Sequence, residues 1–322
     1  MPTIKEIARL AGVSRGTVDR VLNHRGAVSP STARRVQEIA DKLNYQPNKA
    51  GLMLAAQKKN IKIGVVLFAE SDPFFADVLA GIRAKGLELV GYNCSIVVRQ
   101  VPPDEKAQFD AMEELLAEGI HGLVISPCSS LYIAAEIDRF SELGIPVVTV
   151  YTDIASKRMA YVGSHYKRSG QTAAGLMGQM TFGDVYAGIV TGSKHRHSHT
   201  ERVAGFFETL EQNYPNIRVV AMTENHDDDA ESFAQVTKML NDYPEINALY
   251  FAAGGVHGGC QAVRALQREK NTRIFTYGSI PTTVELLHAG VITATVCQQP
   301  YRQGYLPVEL LSRYLLEGIE PA

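Results

Sequence analysis

Cysteine is scarce in this chain and scattered. Cys94, Cys128, Cys260 and Cys297 are the whole set in 322 residues, and no two of them form a CxxC pair. They are expected to be reduced, partly buried thiols and not a disulfide framework. Long apolar runs are missing too: no stretch of about 18 apolar residues occurs, so no helical membrane span is expected. The N-terminal MPTIKEIARL carries acidic and basic residues where a signal peptide needs an apolar run, and the expectation is a cytoplasmic protein. The common catalytic signatures are also absent. GxSxG, a Walker loop, GxGxxG and HExxH do not occur, so neither an enzyme nor a cofactor is predicted.

What remains is an ordinary globular composition with an uneven charge. The chain is 45% hydrophobic and 20% charged, and its length suits a small head on a large body. The formal net charge of −2 hides a division: residues 1–62 hold 12 Lys and Arg against 4 Asp and Glu, and the remainder holds 20 against 30. A basic head on an acidic body suits a head that meets a polyanion, although a solvated basic face would look the same.

Three short helical patterns fill residues 1–46. Thr3 to Glu6 form a capping box, Ile4, Ile7, Ala8 and Ala11 recur at helical spacing, and Gly12 permits the turn that ends the segment. Ser14 caps a second helix with Val18, Val21 and Leu22 inward. Ser29-Pro30 opens a third, with Val36, Ile39, Ala40 and Leu43 as its apolar face. Two helices joined by a short Gly-containing turn, the second presenting Arg15, Thr17 and Arg20, predict a helix-turn-helix. Arginine forks at such a helix start can pair with guanine edges in the major groove, while hydroxyls hold phosphates. A purely structural three-helix bundle is the alternative.

The segments IKEIARLAGVSRGTVDRVLN and VSPSTARRVQEIADKLNYQPN resemble the head of the lactose-repressor (LacI/GalR) family without a gap over about fifty residues. The resemblance implies that Arg15, Gly16 and Arg20 occupy base-reading positions and that Thr3, Ser14, Thr17 and Asn23 face phosphates. Asn48 is counted with them. Two residues depart from the pattern. Gly16 lacks a side chain, and Asp19 puts a carboxylate near phosphate unless Arg15 or Arg20 pairs with it.

Residues 47–60 are predicted to be a hinge. Lys49 to Ala56 can form one or two turns, too short a helix to be stable alone. The resemblance implies a helix that folds on DNA beside its dimer mate, with Leu54 wedged into the minor groove; a plain linker is the alternative.

From residue 61 to 322, apolar strand-like runs alternate with helical patterns, which predicts parallel sheets covered on both faces and divided into two lobes. The fold class expected is therefore an all-α helix-turn-helix head plus an α/β body of two parallel-sheet lobes. Ligands of such sheets bind beyond the carboxyl ends of the strands, here in a cleft between lobes. DPFF, PVVTVYTD, YVGS…SGQTAA, ERVAGF and ATVCQQPYRQG make the body similar to the type I periplasmic sugar-binding proteins and to the effector domains of the same repressor family. By that resemblance Phe74 and Phe75 stack on a sugar ring, Arg202 holds ligand oxygens, and Gln298 stands at the crossover between lobes. Asp72, Ser126, Tyr151, Asp153 and Asp227 complete the expected effector site with Gly254 and Gly278. The last two stand where sugar binders present Asp or Asn, and Tyr151 replaces a small polar residue or acid, so an ordinary pentose or hexose is in doubt.

His195, His197 and His199 form an HxHxH run in what reads as a loop at the same rim. A solvated polar loop is the favoured reading, an anion site with Arg196 and Arg202 is second, and metal ligation is third and needs a fourth group from elsewhere. The expected whole is a homodimeric transcriptional regulator, a repressor, whose two heads sit on a pseudo-palindromic double-stranded DNA operator, with no membrane partner. A sugar-like effector sets its DNA affinity. The C-terminal LLEGIEPA has no heptads, so a dimer and not a zippered tetramer is expected.

Overall fold

The computed structural model describes residues 2–22, 28–43, 45, 60–69, 73–194 and 196–321, with backbone only at positions 73 and 197. The expectations for Asn23, Asn48, Leu54, Asp72 and His195, and for the hinge up to residue 59, lie outside the described residues.

The head is three helices, α1 (Ile4–Ala11), α2 (Arg15–Leu22) and α3 (Pro30–Lys42). Local chemistry sets their ends. Thr3 Oγ1 accepts from the Glu6 N–H, Ser29 accepts from the Thr32 N–H with Pro30 at the first turn, and Gly12 closes α1 at φ 63°. Ile7, Val18 and Val36, one from each helix, meet in a core with Ala8, Ala11, Val21 and Ala40.

The chain divides into two compact units, Met1–Ser71 (the head included), Phe75–Val162 and Tyr301–Ala322 in the first, and Asp72–Phe74 with Gly163–Pro300 in the second. The first unit holds β1 (Ile61–Phe68), α4 (Pro73–Leu89), β2 (Cys94–Val101), α5 (Glu105–Ala117), β3 (Gly122–Ile125), α6 (Leu131–Glu142), β4 (Val147–Val150) and β5 (Ala160–Val162). Its strands pair in parallel in the order β2-β1-β3-β4-β5. The second unit holds α7 (Tyr166–Met180), β6 (Val185–Thr191), α8 (His197–Asn213), β7 (Ile217–Glu224) and α9 (Asp229–Asp242). It continues with β8 (Ala248–Phe251), α10 (Val256–Ala265), β9 (Arg273–Tyr277), α11 (Pro281–His288) and β10 (Ala294–Val296). Its order is β10-β9-β8-β6-β7, again all parallel. The last helix, α12 (Pro300–Glu317), starts at the unit boundary and packs in the first unit.

Central strands read as continuous apolar runs because helices cover both faces: β3, β4 and β8 are buried at every position, whereas the edge strands β2 and β7 are only half-buried. Helix pairs in both units meet closely through glycine. A Cβ at Gly81 would strike the Tyr301 carbonyl, and one at Gly304 the Val78 carbonyl, so α4 and α12 approach backbone to backbone. In the second unit Gly170 of α7 meets the Arg202 carbonyl, and Gly205 of α8 meets the Lys167 carbonyl. That second pair fixes the height of Arg202 on α8.

The cysteines are free; Cys94 and Cys260 are buried, Cys128 is half-buried and Cys297 is exposed. Burial pushes the Cys94 and Cys260 thiols up to about 11 and about 12. The HxHxH reading needs correction. Helix α8 begins at His197 with Arg196 as its N-cap, so His197 and His199 are on a helix and not in an extended loop. Among the described residues no cluster of three or more His, Cys, Asp or Glu is placed to hold a metal.

Candidate functional site

On the head, Thr3 caps α1, Ser14 precedes α2, Arg15, Gly16 and Thr17 lie in the first turn of α2, and Arg20 lies in its last turn. The Thr17 N–H donates to Ser14 Oγ at 3.1 Å, and the two hydroxyls are 2.9 Å apart. Arg15, Gly16 and Arg20 are exposed, and Arg20 Nε donates to the Gly16 carbonyl at 3.2 Å, which lays that guanidinium along the helix. A Cβ at Gly16 would come no closer than 3.8 Å to any neighbour, so no packing demand requires glycine there. Asp19 is half-buried. The Tyr45 phenol is raised above its ordinary value by burial and by the nearby Asp19 charge.

In the first unit the candidate effector residues cluster at the carboxyl ends of β3 and β4. Ser126 is fully buried; its N–H donates to the Val66 carbonyl, and its own carbonyl accepts from Gln108 Nε2 at 2.7 Å. Asp153 accepts from Thr149 Oγ1 at 2.8 Å and pairs with Arg158 at 2.5 Å. Tyr151 has φ 65°, and its ring meets the Phe75 ring edge-on at 5.0 Å. Phe75 is only 1% exposed and also packs on Phe68, so its ring supports Tyr151 from beneath. Phe74 is buried as well.

The second unit carries the denser constellation. Arg202 projects from α8 and is 5% exposed. Its Nη1 donates to the Ala252 carbonyl at 2.9 Å, and its Nη2 to Gln298 Oε1 at 2.7 Å. The guanidinium lies 4.1 Å from the Tyr277 ring centre and 5.3 Å from that of Tyr166. Below it the Tyr250 and Tyr277 hydroxyls pair at 2.8 Å, and Tyr250 stacks on Phe206 at 4.1 Å. Burial raises both phenols, Tyr250 well above its ordinary value, so both stay protonated. Taking an ion such as the Arg202 guanidinium out of water costs several kcal/mol, and cation–π contact returns about 2 kcal/mol.

Beside it, Asp227 sits at φ 63° beyond β7 and accepts from the Gly254 N–H at 2.7 Å. Its carboxylate is 3.7 Å from His199 Nε2 and 3.9 Å from Arg196 Nη1. His199 is buried. Its pKa is lowered chiefly by that burial and further by Arg202 and Arg196, with Asp227 opposing. Asn225, fully buried, holds the loop: it donates to the Gly254 carbonyl at 2.8 Å and accepts from the Asp227 N–H at 3.1 Å. Neither Gly254 nor Gly278 readily takes a side chain. A side chain at Gly254 would press on Asp227, its Cβ 3.1 Å from Asp227 Oδ1. At Gly278, φ 87° strains any other residue.

The structure therefore brings Arg202, Gln298, Asp227 and Gly254 into one neighbourhood of the second unit, and Ser126, Tyr151, Asp153 and Phe75 into one of the first. Sequence reasoning missed Asn225, Tyr166, Tyr250 and Tyr277. Asn225 lies in the polar run TENHDDD and looks there like a solvated loop; the tyrosines read as plain strand or helix residues. A cavity of about 720 Å³ lies elsewhere, between α8, β7 and α9, lined by Thr200, Val203, Met222, Glu224, His226 and Gln235. Its charged lining residues, Lys194, Glu224 and Glu231, are exposed or half-buried, so the buried Arg202 neighbourhood is the better candidate for specific recognition.

Comparison with known proteins agrees with this geometry. Residues 63–319 match the periplasmic binding protein domain family, and residues 3–48 match the bacterial regulatory proteins of the lacI family. Similar curated proteins include the catabolite control protein A of Priestia megaterium, 23% identical over 97% of this chain and 92% of that protein. The ribose operon repressor of Bacillus subtilis is 26% identical over 97% and 91%. The probable transcriptional repressor ExuR of the same species is 27% identical over 74% of this chain and 69% of its own length. Among solved structures, an arabinose-binding protein of Geobacillus stearothermophilus superposes with a TM-score of 0.71 at 26% identity, covering 81% of this chain and 90% of the other. A helix-turn-helix head of this type, joined in one chain to a body of this fold, leads to one conclusion: the chain belongs to the lacI family of bacterial regulatory proteins and is a DNA-binding transcriptional regulator with a periplasmic-binding-protein body.

Proposed function

We propose that the protein is a cytoplasmic, homodimeric repressor whose DNA affinity is set by a sugar-like effector bound in the body, and that it catalyses nothing and needs no cofactor. Residues 1–46 bind DNA, residues 47–60 act as the hinge, and residues 61–322 bind effector and dimerise. The observation that carries this reading is the buried Arg202–Gln298 pair on its tyrosine platform, in a body joined to a basic head. Arg15, at the start of α2, and Arg20, in its last turn, read base edges, with Gly16 leaving room beside Arg15. Thr3, Ser14 and Thr17 hold phosphates.

Arg202, Gln298 and Asp227 of the second unit bind the effector; Ser126, Tyr151 and Asp153 of the first unit are assigned to effector binding by the family resemblance alone. The names of similar repressors of ribose and sucrose operons favour a sugar. Homodimerisation is favoured by an exposed apolar surface beside the edge strand β7. Met222 is 59% exposed there, and Phe207 at 41% follows Val203 one turn along α8. No helix among the described residues is long and apolar enough to cross a membrane. Selection from random duplexes by the full chain tests the reading: a pseudo-palindrome is expected, and recovery of no preferred sequence refutes it.

A further inference from the structure

Among the described residues Arg202 is a buried cation without a counter-ion. Among the described residues no carboxylate lies within ion-pair distance of its guanidinium: the carboxylate of Asp227 stands instead by Arg196 and His199, and Glu208 stands by Lys167. Its two protein acceptors, the Ala252 carbonyl and the Gln298 amide oxygen, are both neutral. Its Nε–H has no hydrogen-bond partner among the described residues. Guanidinium has five N–H donors in a planar fork, and two are used here. The tyrosine rings of Tyr277 and Tyr166 hold that plane in place without supplying a negative charge. No acid stands at Gly254 or Gly278: a Cβ at Gly254 would come within 3.1 Å of Asp227, and φ 87° at Gly278 strains any other residue.

A buried, preorganised guanidinium with free donors matches a carboxylate or phosphate fork to fork. A neutral hydroxyl would occupy a donor but leave the charge uncompensated. We propose that Arg202 receives an anionic group, so that the effector is an acidic sugar derivative, a sugar carboxylate or sugar phosphate, and not a neutral sugar. This rests on the effector reading given above. Arg196, the N-cap of α8, stands 3.9 Å from the Asp227 carboxylate and offsets its charge, so that carboxylate does not oppose an anion at Arg202.

The test is calorimetric titration of the full chain with matched sets: galactose, galacturonate and galactose 6-phosphate; glucose, glucuronate and glucose 6-phosphate; ribose and ribose 5-phosphate. The expected result is at least one acid binding more than tenfold tighter than its neutral parent, and the carboxylate and phosphate arms say which anion is taken. Arg202→Gln should erase the preference, and Arg202→Lys should keep its sign. If neutral parents bind as tightly as their acids, the inference is overturned while the effector reading stands. If no sugar of either class binds, the effector reading falls, and the inference with it. The comparison within the wild type decides between these outcomes even if a variant fails to fold.

Discussion

The tyrosine pair beneath Arg202 makes an asymmetric prediction. The Tyr250 hydroxyl is fully buried and its hydrogen-bond partner is Tyr277, at 2.8 Å, whereas the Tyr277 hydroxyl also has Ser169 beside it. Tyr277→Phe therefore orphans a buried donor, at a cost of about 1–3 kcal/mol. Tyr250→Phe leaves Tyr277 with Ser169 and should cost about 1 kcal/mol, the net worth of one ordinary hydrogen bond. Removing both hydroxyls orphans neither phenol, so the double variant should be no less stable than Tyr277→Phe alone, a coupling of about 1 kcal/mol. Both rings persist throughout, so the 4.1 Å stacking of Arg202 on ring 277 is preserved. Urea unfolding of the full chain, followed by far-UV circular dichroism, reads all three variants. Equal costs for the two single changes, or strict additivity in the double, would refute the reasoning.

Further outcomes follow from the same geometry. Gly170→Ala drives a methyl group into the Arg202 carbonyl, so overpacking should cost about 1–3 kcal/mol in thermal unfolding and weaken effector binding by displacing α8. Gly16→Ala has room and removes a helix penalty of about 1 kcal/mol, so calorimetry should find the head melting at a higher temperature. His199 has a folded pKa below its ordinary 6.5, chiefly through burial, so the unfolded chain takes up its proton first as pH falls. Its contribution is fully present above 6.5 and declines below it. His199→Gln should flatten that part of a stability–pH curve, and an unchanged slope would count against the burial argument.

The fold was largely legible because burial on both sheet faces forces long apolar runs, and helix starts carry hydroxyls or acids that cap them, as at Thr3, Ser29 and Asp104. What escaped was short or non-local. The edge strands Ala160–Val162 and Ala294–Val296 are three residues each, too brief to show a pattern. The start of α8 was hidden because His197 to Thr200 is polar on every side in sequence, and only packing shows that Ser198 and His199 face inward. In the site, Arg202 was visible through its motif, but its environment was not. Its partners lie 50 and 96 residues away, and the hydroxyl pair beneath it spans 27. Asp227 was expected at the rim, yet its hold on the Gly254 N–H depends on a left-handed backbone that no local sequence signal demands.

The central claim is that occupancy of the body controls the grip of the head, and linkage tests it most directly. Fluorescence anisotropy of the full chain on its selected operator, with and without the saturating sugar acid or phosphate found by titration, measures the coupling. A change of roughly 5–150-fold in DNA affinity is predicted, with the same factor appearing in effector affinity when operator is present. DNA affinity that does not move at saturating effector would contradict the account.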